Sequence, residues 1–156
     1  MSGARYDPAR EFLESVKEAR FEQNRSYRKF VELDAQCQSI TSKWADTPGG
    51  GQEDPHKDAL WAALADQRDQ FWCKYRMAKL QEQEVEQFIS TLGDPVHRAI
   101  LTLRYVDLLP WPRVVDELEQ CGIFYSARQI FRLHGDALQS ARTTWIELHP
   151  EEGTDE

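Results

Sequence analysis

The chain has 156 residues, a formal net charge of -8 and a mean hydropathy of -0.68. This charge excludes a surface coated with phosphate-binding lysines and disfavours attraction to an anionic membrane. No apolar run approaches the ~20 residues that span a bilayer, and no signal peptide opens the chain, so we expect a cytoplasmic protein with no membrane partner.

The acidic excess is uneven along the chain. Residues 147–156 carry five acids and no Lys or Arg, whereas residues 90–146 carry six acidic and six basic side chains. The three cysteines are odd in number, far apart and without CxxC spacing. This usage is typical of reduced cytosolic thiols and not of a disulfide framework or a zinc site.

The first long helix is predicted from about residue 8 to residue 44. Asp7 and Pro8 form a helix-start signal, because an acid accepts orphan backbone N–H bonds and proline fits the first turn. Apolar positions then recur alternately four and three residues apart, as in a coiled coil of roughly 55 Å. The seam, with a polar interruption in its middle, consists of Phe12, Val16, Ala19, Gln23, Ser26, Phe30, Leu33, Cys37, Ile40 and Trp44.

Segment 45–56 ends this helix, since it holds two prolines and three consecutive glycines. We predict a flexible linker there and a second helix from about residue 57 to 92. Its apolar face comprises Leu60, Leu64, Phe71, Ala78, Val85 and Phe88, widened by Trp61, Trp72 and Tyr75. We expect residues 1–92 to fold as an antiparallel hairpin that forms a homo-oligomer, with a dimer as the first expectation.

Residues 93–146 predict a second domain of three short helices. These run from His97 to Val106, from Trp111 to Cys121, and from the N-cap Ser126 to about Trp145. The last two are joined by a brief turn containing glycine, which is typical of a helix-turn-helix. No strand pattern occurs, so the predicted fold class is all-α, with residues 147–156 as an acidic disordered tail.

The last helix is the candidate for DNA binding. If Ile130, Leu133 and Ala137 are buried, two arginines four residues apart face outwards with a phenylalanine between them. Arginine can bond guanine bidentately, glutamine can do the same to adenine, and a helix N-terminus suits a phosphate. We therefore predict DNA contacts from Ser126, Ala127, Arg128, Gln129, Phe131, Arg132 and His134.

The C-terminal domain resembles region 4 of bacterial sigma factors, and more closely the sigma-region-4-like proteins of phages and prophages. The stretch that carries the resemblance is LRYVDLLPWPRVVDELEQCGIFYSARQIFRLHGDALQSAR, residues 103–142. Its matching features are the Leu103-Arg104-Tyr105 step, Trp111 with Val114-Val115, Ser126 before the run Arg128 to His134, and Ala137-Leu138. The long helical N-terminal half with its Gly-rich interruption is also similar to that family.

The resemblance implies a transcriptional regulator in the cytoplasm of a bacterial host cell, often of phage late genes, related to the ArpU and RinA type of activator. The family's recognition positions correspond to Ala127, Arg128, Phe131 and Arg132. Ala127, Phe131 and Asp136 depart from sigma factors, which have basic residues at these positions, and this disfavours ordinary promoter-element recognition. We expect Phe131 to contact a thymine methyl group, or else to pack on a partner chain.

Two other functions stay open at this point. A DNA-packaging component resembling a small terminase subunit would also join a helix-turn-helix to an oligomerising hairpin. A helical adaptor would bind protein, with RNA polymerase as the expected partner, and its support is the net charge of -8 and the apolar Phe131. No residue set in the sequence indicates catalysis, so we predict no enzyme, no metal, no cofactor and no small-molecule substrate.

Overall fold

The described residues, 5–45 and 55–152 in this computed structural model, are helical apart from short connections. The side chains of residues 44 and 45 are outside the description. The elements are α1 (Pro8–Ala45), α2 (Pro55–Ser90), α3 (Pro95–Leu101), a π-helical turn (Thr102–Val106), α4 (Trp111–Gln120) and α5 (Ala127–Leu148). Within these ranges there is no strand, so the predicted all-α class is confirmed.

The helices begin where side chains or prolines satisfy the first turn. Asp7 Oδ1 accepts from the backbone N of Ala9 at 3.1 Å, which caps α1 as predicted. Asp94 Oδ1 accepts from the backbone N of Val96 at 2.8 Å and caps α3. This hydrogen bond also holds the pKa of Asp94 below its usual range. Side-chain caps of this kind begin α1, α3 and α5, whereas α4 begins after Pro110 without one.

The chain divides into two compact units that do not follow the boundary expected at residue 92. The first unit combines residues 1–18 with residues 80–156, and the second comprises residues 19–79. The start of α1 and the end of α2 belong to the first unit because their aromatic rings pack with α5. Phe12 lies 5.6 Å from Phe88 and 5.0 Å from Trp145 between ring centroids.

The larger core of the first unit surrounds these rings. Leu13, Val16 and Val85 are completely buried there, and Ala137 and Ala141 bring α5 against them. Small residues at these α5 positions allow close approach of the helices. The second half of α5 is thereby anchored on the ends of α1 and α2.

A smaller core lies under the first half of α5. It is formed by Ile100 of α3, Val114 and Leu118 of α4, and Ile130 of α5, all at most 1% exposed. Ile130 stands at a position that the apolar spacing predicted to be inward. Burial of Ile130 fixes which side of α5 faces solvent.

The helix predicted to end at Val106 does end there, but its last turn, Thr102–Val106, is π-helical. The backbone N of Asp107 donates to Thr102 O at 3.0 Å, and that of Leu109 donates to Leu103 O at 3.1 Å. Leu108 takes a left-handed φ of 54° to close this turn. The Arg104 guanidinium stabilises the turn by donating to Leu109 O at 2.9 Å.

The tail expected to be disordered from residue 147 is ordered over its first part. α5 continues to Leu148, and Trp145 Nε1 donates to Glu152 Oε2 at 3.1 Å. Trp145 also stacks on His149 with centroids 4.1 Å apart, so one aromatic side chain holds the segment. Residues 153–156 of the predicted tail lie outside the described residues, as do residues 46–54 of the predicted linker.

The second unit pairs α1 with α2. Cys37, Leu60 and Phe71 belong to the predicted apolar faces and lie at this contact, whereas Tyr27 was outside the predicted seam. Tyr27 and Phe71 have ring centroids 5.4 Å apart, and the Cys37 thiol donates to Leu60 O at 4.0 Å. Cys37 is buried, whereas Cys73 and Cys121 are exposed, and all three thiols are free. Among the described helices none is long and apolar enough to cross a bilayer.

Candidate nucleic-acid interface

The candidate interface is the outward side of α5, and the packing beneath it sets its orientation. α5 contacts α3 and α4 and buries Ile130, Ala137 and Ala141. Residues on the opposite side of the helix must therefore face solvent. A helix held at both ends in this way presents its outward side chains on a rigid support.

Arg128 and Arg132 are both exposed on this outward side. They are four positions apart, so they lie one above the other on the helix surface. Within the described residues neither guanidinium has an ion pair or a hydrogen bond to a side chain. Their donors are therefore available to acceptors of another molecule.

The outward side continues beyond the residues that the sequence pattern selected. Gly135, Gln139 and Arg142 follow Arg128 and Arg132 at spacings of three and four, and together these five residues form what we call the outward stripe. A Cβ placed on Gly135 would meet no atom within 4 Å. The same three-to-four spacing in the sequence indicates this extension, although Gln139 and Arg142 were not among the predicted DNA contacts.

Ser126 and Gln129 are hydrogen-bonded to each other at the start of α5. Ser126 Oγ accepts from the backbone N of Gln129 at 3.3 Å, and Gln129 Oε1 accepts from the backbone N of Ser126 at 2.9 Å. This is a capping box. A bidentate contact to adenine requires the same Oε1 atom, so the cap opposes the adenine contact predicted for Gln129.

His134 is half-buried and does not lie on the outward stripe. Its Nε2 is 3.0 Å from the Tyr105 hydroxyl, and its ring packs edge-on against Trp111 with centroids 4.8 Å apart. Burial, with the positive charges of Arg10 and Arg104, lowers the pKa of His134 to about 4. The imidazole is therefore neutral at physiological pH, and its position opposes the predicted DNA-backbone contact.

Phe131 is half exposed beside the stripe. Its ring meets Trp111 at a centroid distance of 4.9 Å, and the Arg104 guanidinium lies over the same indole, 4.7 Å from its centroid. Phe131 also lines an open cleft of about 520 Å³ between α4 and α5. Ala127 is exposed and lines the same cleft. The predicted contact of Phe131 with a thymine methyl group stays a prediction.

The charges around the stripe are arranged unequally. Residues 126–142 of α5 carry three arginines and one acid. On α4, Arg113 is 4.0 Å from Glu117, and Asp116 lines the cleft next to Phe131. Positive potential is therefore concentrated on the outward stripe, with acidic side chains along the neighbouring helix.

In the part of the chain that the structure describes, no three His, Cys, Asp or Glu side chains are grouped as metal ligands would be. No protein-family model, curated protein or solved structure matches the chain. Its function is therefore inferred from α5 and the residues that support it.

Proposed function

We propose that the chain is a sequence-specific DNA-binding transcriptional regulator. In this proposal α1 and α2 form a long helical hairpin, α3 to α5 form a three-helix helix-turn-helix domain, and α5 enters the major groove. The observation that carries it is the pair Arg128 and Arg132, exposed, four residues apart and unpartnered within the described residues. A helix anchored by Ile130 and Ala137 on its other side supports them.

The chemistry of this pair suits base recognition. A guanidinium offers two parallel N–H donors to O6 and N7 of guanine, and each such pair contributes about 1–3 kcal/mol of discrimination. Adjacent turns of α5 place the two guanidinium groups about 6 Å apart along the helix axis. That spacing allows them to contact neighbouring base pairs of one duplex. In this proposal Arg128 and Arg132 make the base contacts that determine sequence specificity, and Gln129 and His134 make none.

The net charge of -8 requires a compensating feature. One module with a near-neutral balance would bind a duplex weakly, because phosphate contacts supply most of the affinity of such proteins. Two linked modules gain about 10² to 10⁴ in apparent affinity when their spacing matches the site. We therefore propose a homo-oligomer, with a dimer as the simplest form.

The biological role follows from the resemblance to phage and prophage regulators with sigma-region-4-like domains. We propose control of phage late genes in a bacterial host cell, with contact to RNA polymerase as an accompanying interaction. The acidic side chains of α4 and the cleft beside Phe131 are the surfaces that such a protein contact would use.

The experiment that tests the proposal is selection of bound duplexes from a random pool, followed by titration of variants on the enriched site. Arg128→Ala and Arg132→Ala should each weaken specific binding by about 1–3 kcal/mol, with an unchanged circular dichroism spectrum. Arg113→Ala on α4 is the matched control, because it removes the same charge from a side chain already near Glu117. Unaltered binding of both α5 variants would refute the site assignment.

A second candidate, a protein-binding adaptor, is favoured by the apolar cleft between α4 and α5. Trp111, Val115 and Phe131 line it, and such a cleft suits an apolar side chain of a partner. The adaptor binds no duplex even at low salt, whereas a DNA-binding protein binds with an affinity that falls steeply as salt rises. A ring-shaped assembly in a mass measurement would instead indicate a packaging component.

A further inference from the structure

The second unit is close to neutral, although the whole protein has a net charge of -8. Residues 19–79 contain ten Lys or Arg against nine Asp or Glu. The basic residues are concentrated in two segments, 20–29 and 68–79, which together hold eight Lys or Arg and two acids. These are the segments that the contact between Tyr27 and Phe71 brings together. A local positive region therefore exists on a protein that is acidic overall.

Aromatic rings lie within the same region and are connected to one another. Phe71 has ring centroids 5.4 Å from Trp72 and 6.1 Å from Tyr75, and Trp72 meets Tyr75 edge-on at 5.6 Å. Tyr27 is 51% exposed and Trp72 is 47% exposed. Rings of this size are usually covered in a protein that has no partner for them.

The basic residues of α2 alternate with these rings on one side of the helix. Arg68, Trp72 and Arg76 follow one another at intervals of four residues, and Tyr75 and Lys79 repeat the interval beside them. The Lys79 ammonium lies over the Tyr75 ring, 5.7 Å from its centroid. Arg76 is exposed and has no ion pair within the described residues. We call this surface, Tyr27, Arg68, Trp72, Tyr75, Arg76 and Lys79, the aromatic-basic face.

We propose that the aromatic-basic face binds single-stranded DNA. Unpaired bases stack on exposed aromatic rings, while the phosphates between them contact Arg and Lys, and neither contact depends on sequence. The alternation of rings and cations along α2 provides both kinds of contact repeatedly. This activity is separate from the duplex reading proposed for α5, and it uses residues of the second unit alone.

The charges favour this occupant over a second copy of the chain. Two aromatic-basic faces placed against each other would bring like charges together in a desolvated interface, which costs free energy. An acidic protein segment would pair with the cations but would leave the flat rings without a matching group. A single strand of DNA matches both the cations and the rings, because each nucleotide supplies one phosphate and one base.

The test uses the full chain and a fluorescein-labelled oligo(dT) of about 20 nucleotides, longer than the roughly 4–16 nucleotides covered by one single-strand-binding fold. Fluorescence anisotropy measures the Kd over a series of salt concentrations. Trp72→Ala should weaken binding by roughly 5- to 150-fold, the loss expected from removing one stacking ring. Trp72→Phe keeps a ring and should bind within a few-fold of the natural chain.

The cationic part of the proposal is tested by salt dependence. Arg76→Ala should reduce the slope of log K against log salt by about 0.7, the value for one phosphate contact on a single strand. Lys29→Ala removes the same charge from a position two residues after Tyr27, roughly 200° around α1, and should leave the slope unchanged. Met77→Ala is the corresponding apolar control on α2, since Met77 is 57% exposed and lies away from the face.

Four results would overturn the proposal: no binding of oligo(dT) at low salt, equal binding by Trp72→Ala and the natural chain, displacement by poly-L-glutamate as effective as by unlabelled oligo(dT), or loss of self-association in Trp72→Ala. The last two would assign the face to an acidic protein or to a second copy. Arg128→Ala should retain oligo(dT) binding, and this separates the result from that of duplex recognition by α5.

Discussion

Gly135 provides a test in which stability and binding should change in opposite directions. It stands on the outward stripe of α5, where an added Cβ would meet no atom within 4 Å. Glycine in a helix interior costs about 1 kcal/mol relative to alanine. The packing of the free chain therefore does not require glycine here, whereas close approach of another molecule to the helix backbone would require it.

Gly135→Ala should raise the free energy of unfolding by about 0.4–1 kcal/mol, because the helical backbone accepts alanine and the unfolded chain loses freedom. For a chain of this size, that gain corresponds to a rise in Tm of roughly 1–4 °C. The same methyl group should weaken duplex binding by about 1–3 kcal/mol, the usual cost of an extra carbon in a closely packed contact. Differential scanning calorimetry and anisotropy on the enriched duplex measure the two quantities.

Gly93→Ala is the matched control, since its Cβ also meets no atom within 4 Å and it lies between α2 and α3. It should leave duplex affinity unchanged. If Gly135→Ala is more stable and binds the duplex as tightly as the natural chain, DNA does not approach the backbone of α5 at this position. If Gly135→Ala is less stable than the natural chain, the space around Gly135 is not open in solution.

Three further predictions concern the support of α5. The pKa of His134 is lowered to about 4 from an ordinary 6.5, so the unfolded chain takes up a proton at a higher pH than the folded chain does. Stability should therefore be full above pH 6.5 and fall towards pH 4 by at most about 3 kcal/mol, because solvent screens a half-buried ring. His134→Phe should remove this part of the pH dependence in urea titrations. Ser126→Ala should lower the free energy of unfolding by about 0.5–2 kcal/mol through loss of the cap. Leu13→Ala should lower it by about 2–5 kcal/mol, since Leu13 is 0% exposed.

Each of these predictions has a contradicting result. A pH dependence of His134→Phe equal to that of the natural chain would place the titration elsewhere. Chemical denaturation of Ser126→Ala without loss of stability would mean that the capping box does not hold the start of α5 in solution. A loss below about 1 kcal/mol for Leu13→Ala would mean that the core around Phe12 and Trp145 is not packed as described.

The parts of the fold that follow from local sequence were predicted. The all-α class is confirmed, and Asp7 and Ser126 begin helices because their oxygens lie within reach of the next backbone amides. Ile130 was placed inward by apolar spacing and is 1% exposed. Such features depend on residues within one or two turns of each other, which the sequence displays directly.

The parts that depend on distant residues were not predicted. His134 is half-buried because its ring packs against Tyr105, 29 residues earlier, and against Trp111. Leu13 was not part of the predicted seam through Phe12. It is buried because α1 packs on α5 as well as on α2, which widens the buried side of α1. Gln129 is a different case, since a serine followed three residues later by glutamine is a known capping signal and could have been read from the sequence.

The most direct test of α5 as the reader of the major groove is a double-mutant cycle between protein and DNA. In the enriched duplex, each guanine is replaced in turn by 7-deazaguanine, which lacks the N7 acceptor, and the Kd is measured for the natural chain and for Arg128→Ala. At one guanine the replacement should weaken binding of the natural chain by about tenfold and have no further effect on Arg128→Ala. Additive losses at every guanine would contradict a contact between Arg128 and a base.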